Sequence, residues 1–347
     1  MKTKPSPAIS VEIDASQFPE NVRRDFVESL RTHSVNHKFH YESLKQAQKW
    51  LALHEAYSPA RTDGDCEKIY DESFRAAVES FARPYQTKGR TVCGARPIHV
   101  IGLGCGGGQK DVRLLEILAR SQSNISYTPC DVSLPLVLTA AGAAAQIIAP
   151  RRIFPVVCDL LTAENLEQLF DQKAPARASR LITFFGLIPN FEPNEILPRL
   201  RSLVRPGDRL LFGANLAPGK NYAAGMKQIF RQYNNSLTRD WLMTFLYDLG
   251  IARGDGQFRI RIAGGQRGLK RVLADFKFSE ARRIQIGEAG FSFRRGDVIR
   301  LFYSYRYTPA KIRSVLKVFR LRVIEQWISP SEEEGVFLCQ RGGSGNS

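Results

Sequence analysis

The stretch Ile98-His99-Val100-Ile101-Gly102-Leu103-Gly104-Cys105-Gly106-Gly107-Gly108-Gln109-Lys110 decides the fold. An apolar run bounded by glycines reads as a buried strand, with His99 packed or hydrogen-bonded inside it. The glycines let the backbone turn with positive φ and approach a ligand without a Cβ in the way. A helix is expected from about Asp111 to Ala119, burying Val112, Leu115, Ile117 and Leu118 on a sheet and aiming unpaired N–H groups at the loop. Strand, glycine turn and helix in this order make a nucleotide cradle.

Two cradles fit. Gly102, Gly104 and Gly107 match the G-x-G-x-x-G dinucleotide fingerprint, and Gly102, Gly104 and Gly106 match the G-x-G-x-G loop of methyltransferases that use S-adenosylmethionine (SAM). The segments downstream weigh towards SAM. Tyr127 to Ser133 reads as a second strand ending in Asp131, where a ribose-binding acid is expected. After an Ala- and Leu-rich helix, about Leu134 to Ile148, a strand Phe154 to Cys158 ends in Asp159-Leu160. A SAM site uses such an acid for the adenine amino group and the apolar neighbour to cover the ring. SAM carries an amino acid and a sulfonium cation, so repeated strand-end carboxylates suit it better than they suit a pyrophosphate. The plainer role of either Asp is a turn or helix cap.

A fourth strand, Arg180 to Phe185, runs into Gly186-Leu187-Ile188-Pro189-Asn190-Phe191-Glu192-Pro193, where a doubly wound sheet presents its reacting groups. A helix Glu195 to Val204, the turn Arg205-Pro206-Gly207-Asp208 and a strand Arg209 to Ala214 continue the rhythm. Leu321 to Ile328 and Gly335 to Gln340 read as a closing antiparallel hairpin. The fold expected is α/β: a Rossmann-like, doubly wound SAM-methyltransferase sheet with an antiparallel C-terminal hairpin and an inserted α+β substrate or lid domain. Its parts are a flexible N-terminus (1–18), a helical part of the substrate domain (19–65), a SAM-binding core (66–218), the insertion (219–307), completion of the core (308–341) and a flexible tail (342–347). Within 219–307 a long helical stretch around Tyr222 to Gly250 precedes strands near Phe258 to Ile262, Arg282 to Ile286 and Asp297 to Tyr305.

Several segments in order resemble the histidine Nα-methyltransferases of ergothioneine biosynthesis. They are Lys38-Phe39-His40-Tyr41-Glu42, Ala56-Tyr57-Ser58-Pro59-Ala60-Arg61-Thr62-Asp63, the glycine loop with Lys110 and Arg113, and Tyr127 to Ser133. Phe184 to Pro193, Pro206 to Leu211 and Ser304-Tyr305-Arg306-Tyr307-Thr308 complete the set. The resemblance implies SAM contacts at Tyr41, Gly102, Gly104, Gly106, Lys110, Asp131, Asp159 and Leu160. It implies an amino-acid acceptor held by Tyr57, Gly186, Asn190 and Tyr233, with Asn190 and Tyr233 as the candidate catalytic pair and Tyr222 as the competitor of Tyr233. The family reads its imidazole with a Glu and a Ser one residue apart. Here the Ser is Ser304, and Phe302 stands where the Glu is expected. A buried carboxylate that would hold an imidazole N–H is thus replaced by a ring, and discrimination built on such polar contacts is large. The expectation is SAM-dependent N-methylation of an amino acid or amino-acid-derived small molecule other than histidine.

Composition bounds the rivals. With 347 residues, 43% of them hydrophobic, the chain buries one large or two modest cores. No stretch reaches the roughly 20 apolar residues of a membrane span, and the N-terminus lacks an apolar signal core. Six cysteines without C-x-x-C spacing suggest reduced, cytoplasmic thiols and no metal site. The net charge of +16 raises a nucleic-acid methyltransferase as the main rival, but no nucleic-acid module is visible, and Leu187-Ile188-Pro189-Asn190 is not the motif used on flipped bases. An NAD-type oxidoreductase and a non-catalytic SAM-fold binding protein are weaker rivals.

Overall fold

The computed structural model describes residues 9–58, 64–82, 86–87, 90–91, 97–121 and 124–342. Residues 59–63 of the Tyr57 motif, Cys93, residues 1–8 and residues 343–347 lie outside them. In chain order the strands are β1 (Glu12–Ile13), β2 (Gln86–Thr87), β3 (Arg90–Thr91), β4 (Ile98–Leu103), β5 (Ile125–Asp131), β6 (Val156–Val157), β7 (Ser179–Phe185) and β8 (Arg209–Asn215). They continue with β9 (Gly256–Gly264), β10 (Lys270–Phe278), β11 (Arg282–Ile286), β12 (Ala289–Phe293), β13 (Val298–Arg306), β14 (Leu321–Ile328) and β15 (Glu334–Arg341). The α-helices are α1 (Pro19–Arg31), α2 (Leu44–Tyr57), α3 (Gly64–Ala82), α4 (Gln109–Ser121), α5 (Leu134–Ala144), α6 (Leu166–Asp171), α7 (Pro193–Leu203), α8 (Tyr222–Gln228), α9 (Ser236–Tyr247) and α10 (Pro309–Val318).

The main sheet has the order β1-β6-β5-β4-β7-β8-β15-β14. Its first six strands run parallel, and β15 lies antiparallel between β8 and β14. This is the doubly wound sheet with its closing hairpin. Every residue of β4 is buried because both faces are covered. Ile98 and Val100 pack towards α3, α4 and α5, while Ile101 and Leu103 pack into the cluster that holds α6, α7 and α10. The order reverses at β4 and β7, so the loops after these two strands flank the crevice where such sheets bind ligands.

The N-terminal residues and the segment after β8 share a second core. Leu30, Val35, Phe39 and Tyr41 pack with Trp241, Phe245, Phe276, Ile299 and Phe302. Each fully buried large side chain there contributes about 1.5–3 kcal/mol. Antiparallel β13-β10-β9 form a three-stranded sheet and β11-β12 a hairpin. The free edge of β13 is covered by the chain around residues 33–35: Arg300 N donates to the His33 carbonyl, and Val35 N donates to the Arg300 carbonyl.

Several elements differ from the reading of the sequence. Of the N-terminal stretch expected to be flexible, Glu12 and Ile13 pair with β6 at the sheet edge, and Asp14 caps a short 3-10 turn. The expected long helix 222–250 is broken, because the Asn235 side chain accepts from Thr238 N and starts α9 afresh. Strand 154–158 shrinks to Val156–Val157, since Pro155 has no N–H to give a neighbour. Strands β10 and β12 and helix α10 are additions that the sequence pattern does not announce. β10 is the central strand of its sheet, and its Lys270-Arg271 start reads as a surface charge run.

Candidate active site

Gly104 lies in the left-handed region at φ 59°, and a Cβ there would sit 2.2 Å from Leu187 Cδ2. The glycine loop therefore presses against the loop after β7. Gly102 lies beneath the cavity rather than on its wall. A Cβ on it would meet Asp111 Oδ2 at 2.2 Å, so the glycine makes room for the Asp111 carboxylate. That carboxylate is buried, accepts from Tyr127 Oη and Thr183 Oγ1, both at 2.7 Å, and has its pKa pushed up to about 6 by burial. It pins the start of α4 to β5 and β7.

A cavity of about 980 Å³ opens over these strand ends. Gly104, Gly106, Lys110, Asp131, Asp159 and Leu160 line it together with Tyr41, Tyr57, Gly186, Asn190, Tyr233, Phe302 and Ser304. Of the cofactor and acceptor contacts expected from the sequence, Gly102 alone is absent from the wall.

Asp131 ends β5. Its Oδ2 accepts from Gly106 N and its Oδ1 from Ser133 N, both at 3.0 Å. No cation pairs with it among the described residues, and burial, opposed by these backbone N–H groups, pushes its pKa up to about 6. A desolvated carboxylate held only by backbone donors keeps lone pairs for hydroxyl donors, and it suits the ribose of SAM. The turn role thus leaves room on the same carboxylate for a ligand's hydroxyl donors. Asp159 is also a turn acid, its Oδ1 accepting from Leu161 N at 2.9 Å. Its Oδ2 lies 3.7 Å from Lys38 Nζ, a buried ammonium held mainly by Asp25 at 2.6 Å. Lys110 donates from Nζ to Tyr70 Oη at 2.6 Å, and Tyr70 in turn donates to Glu334 Oε1 at 2.5 Å. Burial and the Glu334 carboxylate both push the Tyr70 phenol well above its ordinary pKa. A tyrosine and an acid from β15 thus aim the lysine along the cavity wall.

Asn190 ends a short 3-10 turn after β7, and its Nδ2 donates to Tyr41 Oη over a long 3.4 Å. Tyr41 is wedged between Trp50 and Trp241, with ring centroids 5.7 and 5.5 Å away. Tyr57 stands at the rim, 38% exposed, at the end of α2. The two competing tyrosines, Tyr222 and Tyr233, differ in position. Tyr222 donates to the Arg306 carbonyl and accepts from Lys270 N, away from the cavity wall, whereas Tyr233 lies on the wall and donates to Ser304 Oγ at 2.9 Å. Phe302 and Ser304 lie two residues apart on β13 and share one face. Phe302, 5% exposed, packs against Trp241 at 5.4 Å and His37 at 5.0 Å.

Trp241, His37, Tyr70 and Glu334 join the wall or its support with no sequence signal for that role, and so do Lys38 and Arg306, which lie in the family-like segments although the resemblance implies no role for them. His37 is the least expected. Both its ring nitrogens are covered and unpartnered, and burial, with His40 nearby, lowers its pKa to about 3. It is a neutral ring, and its contacts with Phe302 and Tyr303 are aromatic. Only its place beside the Lys38-to-Glu42 segment could have flagged it. His99 bonds to Ser126 Oγ through Nδ1 at 2.8 Å inside the sheet.

Residues 85–341 match the family model described as histidine-specific methyltransferase, SAM-dependent. The N-methyltransferase fsqC of Aspergillus fumigatus is 22% identical over 249 residues, covering 68% of this chain and 64% of the relative. The chain thus spans somewhat under two thirds of the length of that curated relative. Among solved structures, the 1,6-didemethyltoxoflavin-N1-methyltransferase of Burkholderia thailandensis is similar at a TM-score of 0.43 and 11% identity, over 86% of this chain and 89% of that one. The CcbJ methyltransferase of Streptomyces caelestis follows at 0.39 and 12%, over 80% and 96%.

Proposed function

The chain belongs to the histidine-specific, SAM-dependent methyltransferase family, and from that premise we propose that it methylates the amine of an amino acid, or of a small molecule derived from one, whose side chain is not imidazole. The protein is a SAM-dependent methyltransferase; the acceptor is our reading. One observation supports it: Phe302 and Trp241 make an apolar wall at the position where the resemblance implies a carboxylate.

When bound, SAM supplies a methyl group activated by its sulfonium. Asp131 would hold ribose hydroxyls, Asp159 and Leu160 the adenine, and Tyr41, Gly104, Gly106 and Lys110 the amino-acid end. Asn190 and Tyr233, with Tyr57 and Gly186, would hold the acceptor's amine and carboxylate. Asn190, Tyr233 and Ser304 are neutral hydrogen-bonding groups, so they orient the amine rather than deprotonate it. An ammonium proton can pass to water at the open cavity mouth. Orientation and exclusion of water by Trp50 and Trp241 are then the chain's main contributions to an in-line displacement.

The test is mass spectrometry of products from a panel of free amino acids, each paired with its N-acetyl derivative, incubated with SAM. Methyl groups on the free amines of bulky apolar amino acids, and none on the acetylated forms, are expected. Methylation of hydroxyls or of the acetylated compounds overturns the reading.

A further inference from the structure

Arg306, at the end of β13, is 2% exposed and lines the cavity. Each of its three nitrogens donates to a neutral group: Nε to Tyr233 Oη at 2.9 Å, Nη2 to Gln232 Oε1 at 2.6 Å and Nη1 to the Leu216 carbonyl at 3.3 Å. Among the described residues no carboxylate pairs with it directly. Glu333 is reached only through Gln232, whose Nε2 donates to Glu333 Oε2 at 2.6 Å.

A guanidinium can only donate. The Tyr233 oxygen therefore accepts, and its own proton goes onward to Ser304 Oγ at 2.9 Å. Ser304 Oγ accepts in turn, which leaves its proton to donate elsewhere, and it makes no other hydrogen bond among the described residues. Ser304 lines the cavity beside Phe302. Each hydrogen bond from Arg306 to Tyr233 to Ser304 thus donates onward, and the Ser304 hydroxyl at the end of the chain lies on the cavity wall.

We infer that Arg306 is a positioning residue for specificity: acting through Tyr233, it fixes Ser304 as a donor, so the enzyme selects amino acids whose side chain places a hydrogen-bond-accepting oxygen beside Phe302, and rejects cationic side chains. This rests on the proposed amino-acid acceptor and narrows it. The apolar wall supplies affinity for a ring; Ser304 supplies the choice among rings. A side chain without an accepting atom leaves the Ser304 donor unmatched once water is excluded, and a side-chain ammonium faces both that donor and the guanidinium field.

The experiment compares kcat/KM for phenylalanine, para-methoxyphenylalanine and para-aminomethylphenylalanine. The methoxy oxygen only accepts, so the wild type is expected to prefer it over phenylalanine by about tenfold or more and to use the aminomethyl compound least. Ser304→Ala should bring the methoxy-to-phenyl ratio close to one. Arg306→Met should compress it through KM, because Tyr233 and Ser304 can then reverse, and Arg306→Lys should restore part of it. S-adenosylhomocysteine affinity reports folding of each variant, and Ser304→Ala decides alone if Arg306→Met does not fold. A wild-type ratio near one, or a ratio unmoved in folded Ser304→Ala or Arg306→Met, overturns the inference and leaves amine methylation standing. Failure of all three compounds alongside other aromatic amino acids removes the proposed function, and this inference with it.

Discussion

Phe302→Glu is the perturbation that separates fold from substrate. Phe302 is 5% exposed, and its ring lies 5.0 Å from His37, 5.4 Å from Trp241 and 6.3 Å from His40. Truncating a ring packed this way costs about 3–5 kcal/mol, and a buried carboxylate adds desolvation that a His37 N–H can offset only in part. The variant should therefore melt several degrees lower. In exchange it gains an acceptor for an imidazole N–H. A hydrogen bond to a charged group is worth about 1.5–3 kcal/mol, so the ratio of kcat/KM for histidine over phenylalanine should rise by about 10- to 150-fold. The assay is quantification of methylated products from each amino acid under subsaturating conditions. Phe302→Leu, with no carboxylate, should leave the ratio within a few-fold of wild type. An unchanged ratio in folded Phe302→Glu refutes the placement of position 302 against the acceptor side chain.

Four further outcomes follow. Asp131→Ala should weaken S-adenosylhomocysteine, measured by calorimetry, by about 1.5–3 kcal/mol, and it also strands the Gly106 and Ser133 N–H groups; unchanged affinity would confine Asp131 to the turn. The Asp131 pKa stands near 6, above the ordinary carboxylate value, so cofactor affinity should be full above that pH and fall as pH drops through it, with Asp131→Asn flattening the profile between about pH 5 and 7. For folding the sign is opposite: acids raised like Asp111 and Asp131 stabilise the unliganded protein most below their unfolded pKa of about 3.9, and that contribution is lost as pH rises through about 6. Despite the charge of +16, filter binding of DNA and RNA should be weak at moderate salt; strong low-salt binding with a steep salt slope would favour a nucleic-acid acceptor.

The parts of this molecule readable from the sequence are those set by local periodicity. The all-apolar Ile98-to-Leu103 run, its glycines and the strand-end acids point to the sheet, the crevice and the loops at its rim. Elements whose cues are mixed were not legible. β10 opens on two charged and three apolar residues before it alternates, its register with β13 shifts between Ala274 and Asp275, and the break before α9 depends on a single Asn cap. Contacts assembled from distant segments were hidden for a different reason. Lys110 is aimed by Tyr70 and Glu334, Trp241 Nε1 donates to the His40 carbonyl, and Arg306 orders Tyr233. No spacing rule links such residues, so only the folded chain shows that the wall around Phe302 has polar neighbours with a defined direction.

The most direct test of the account is a competition. Wild-type protein is given SAM with equal concentrations of histidine and an aromatic amino acid that carries a ring oxygen, and tandem mass spectrometry locates and counts the methyl groups formed. The account predicts methyl groups on the α-nitrogen of the aromatic amino acid, in large excess over methylated histidine. Efficient methylation of histidine in that mixture would contradict it and return the protein to the plain activity of its family.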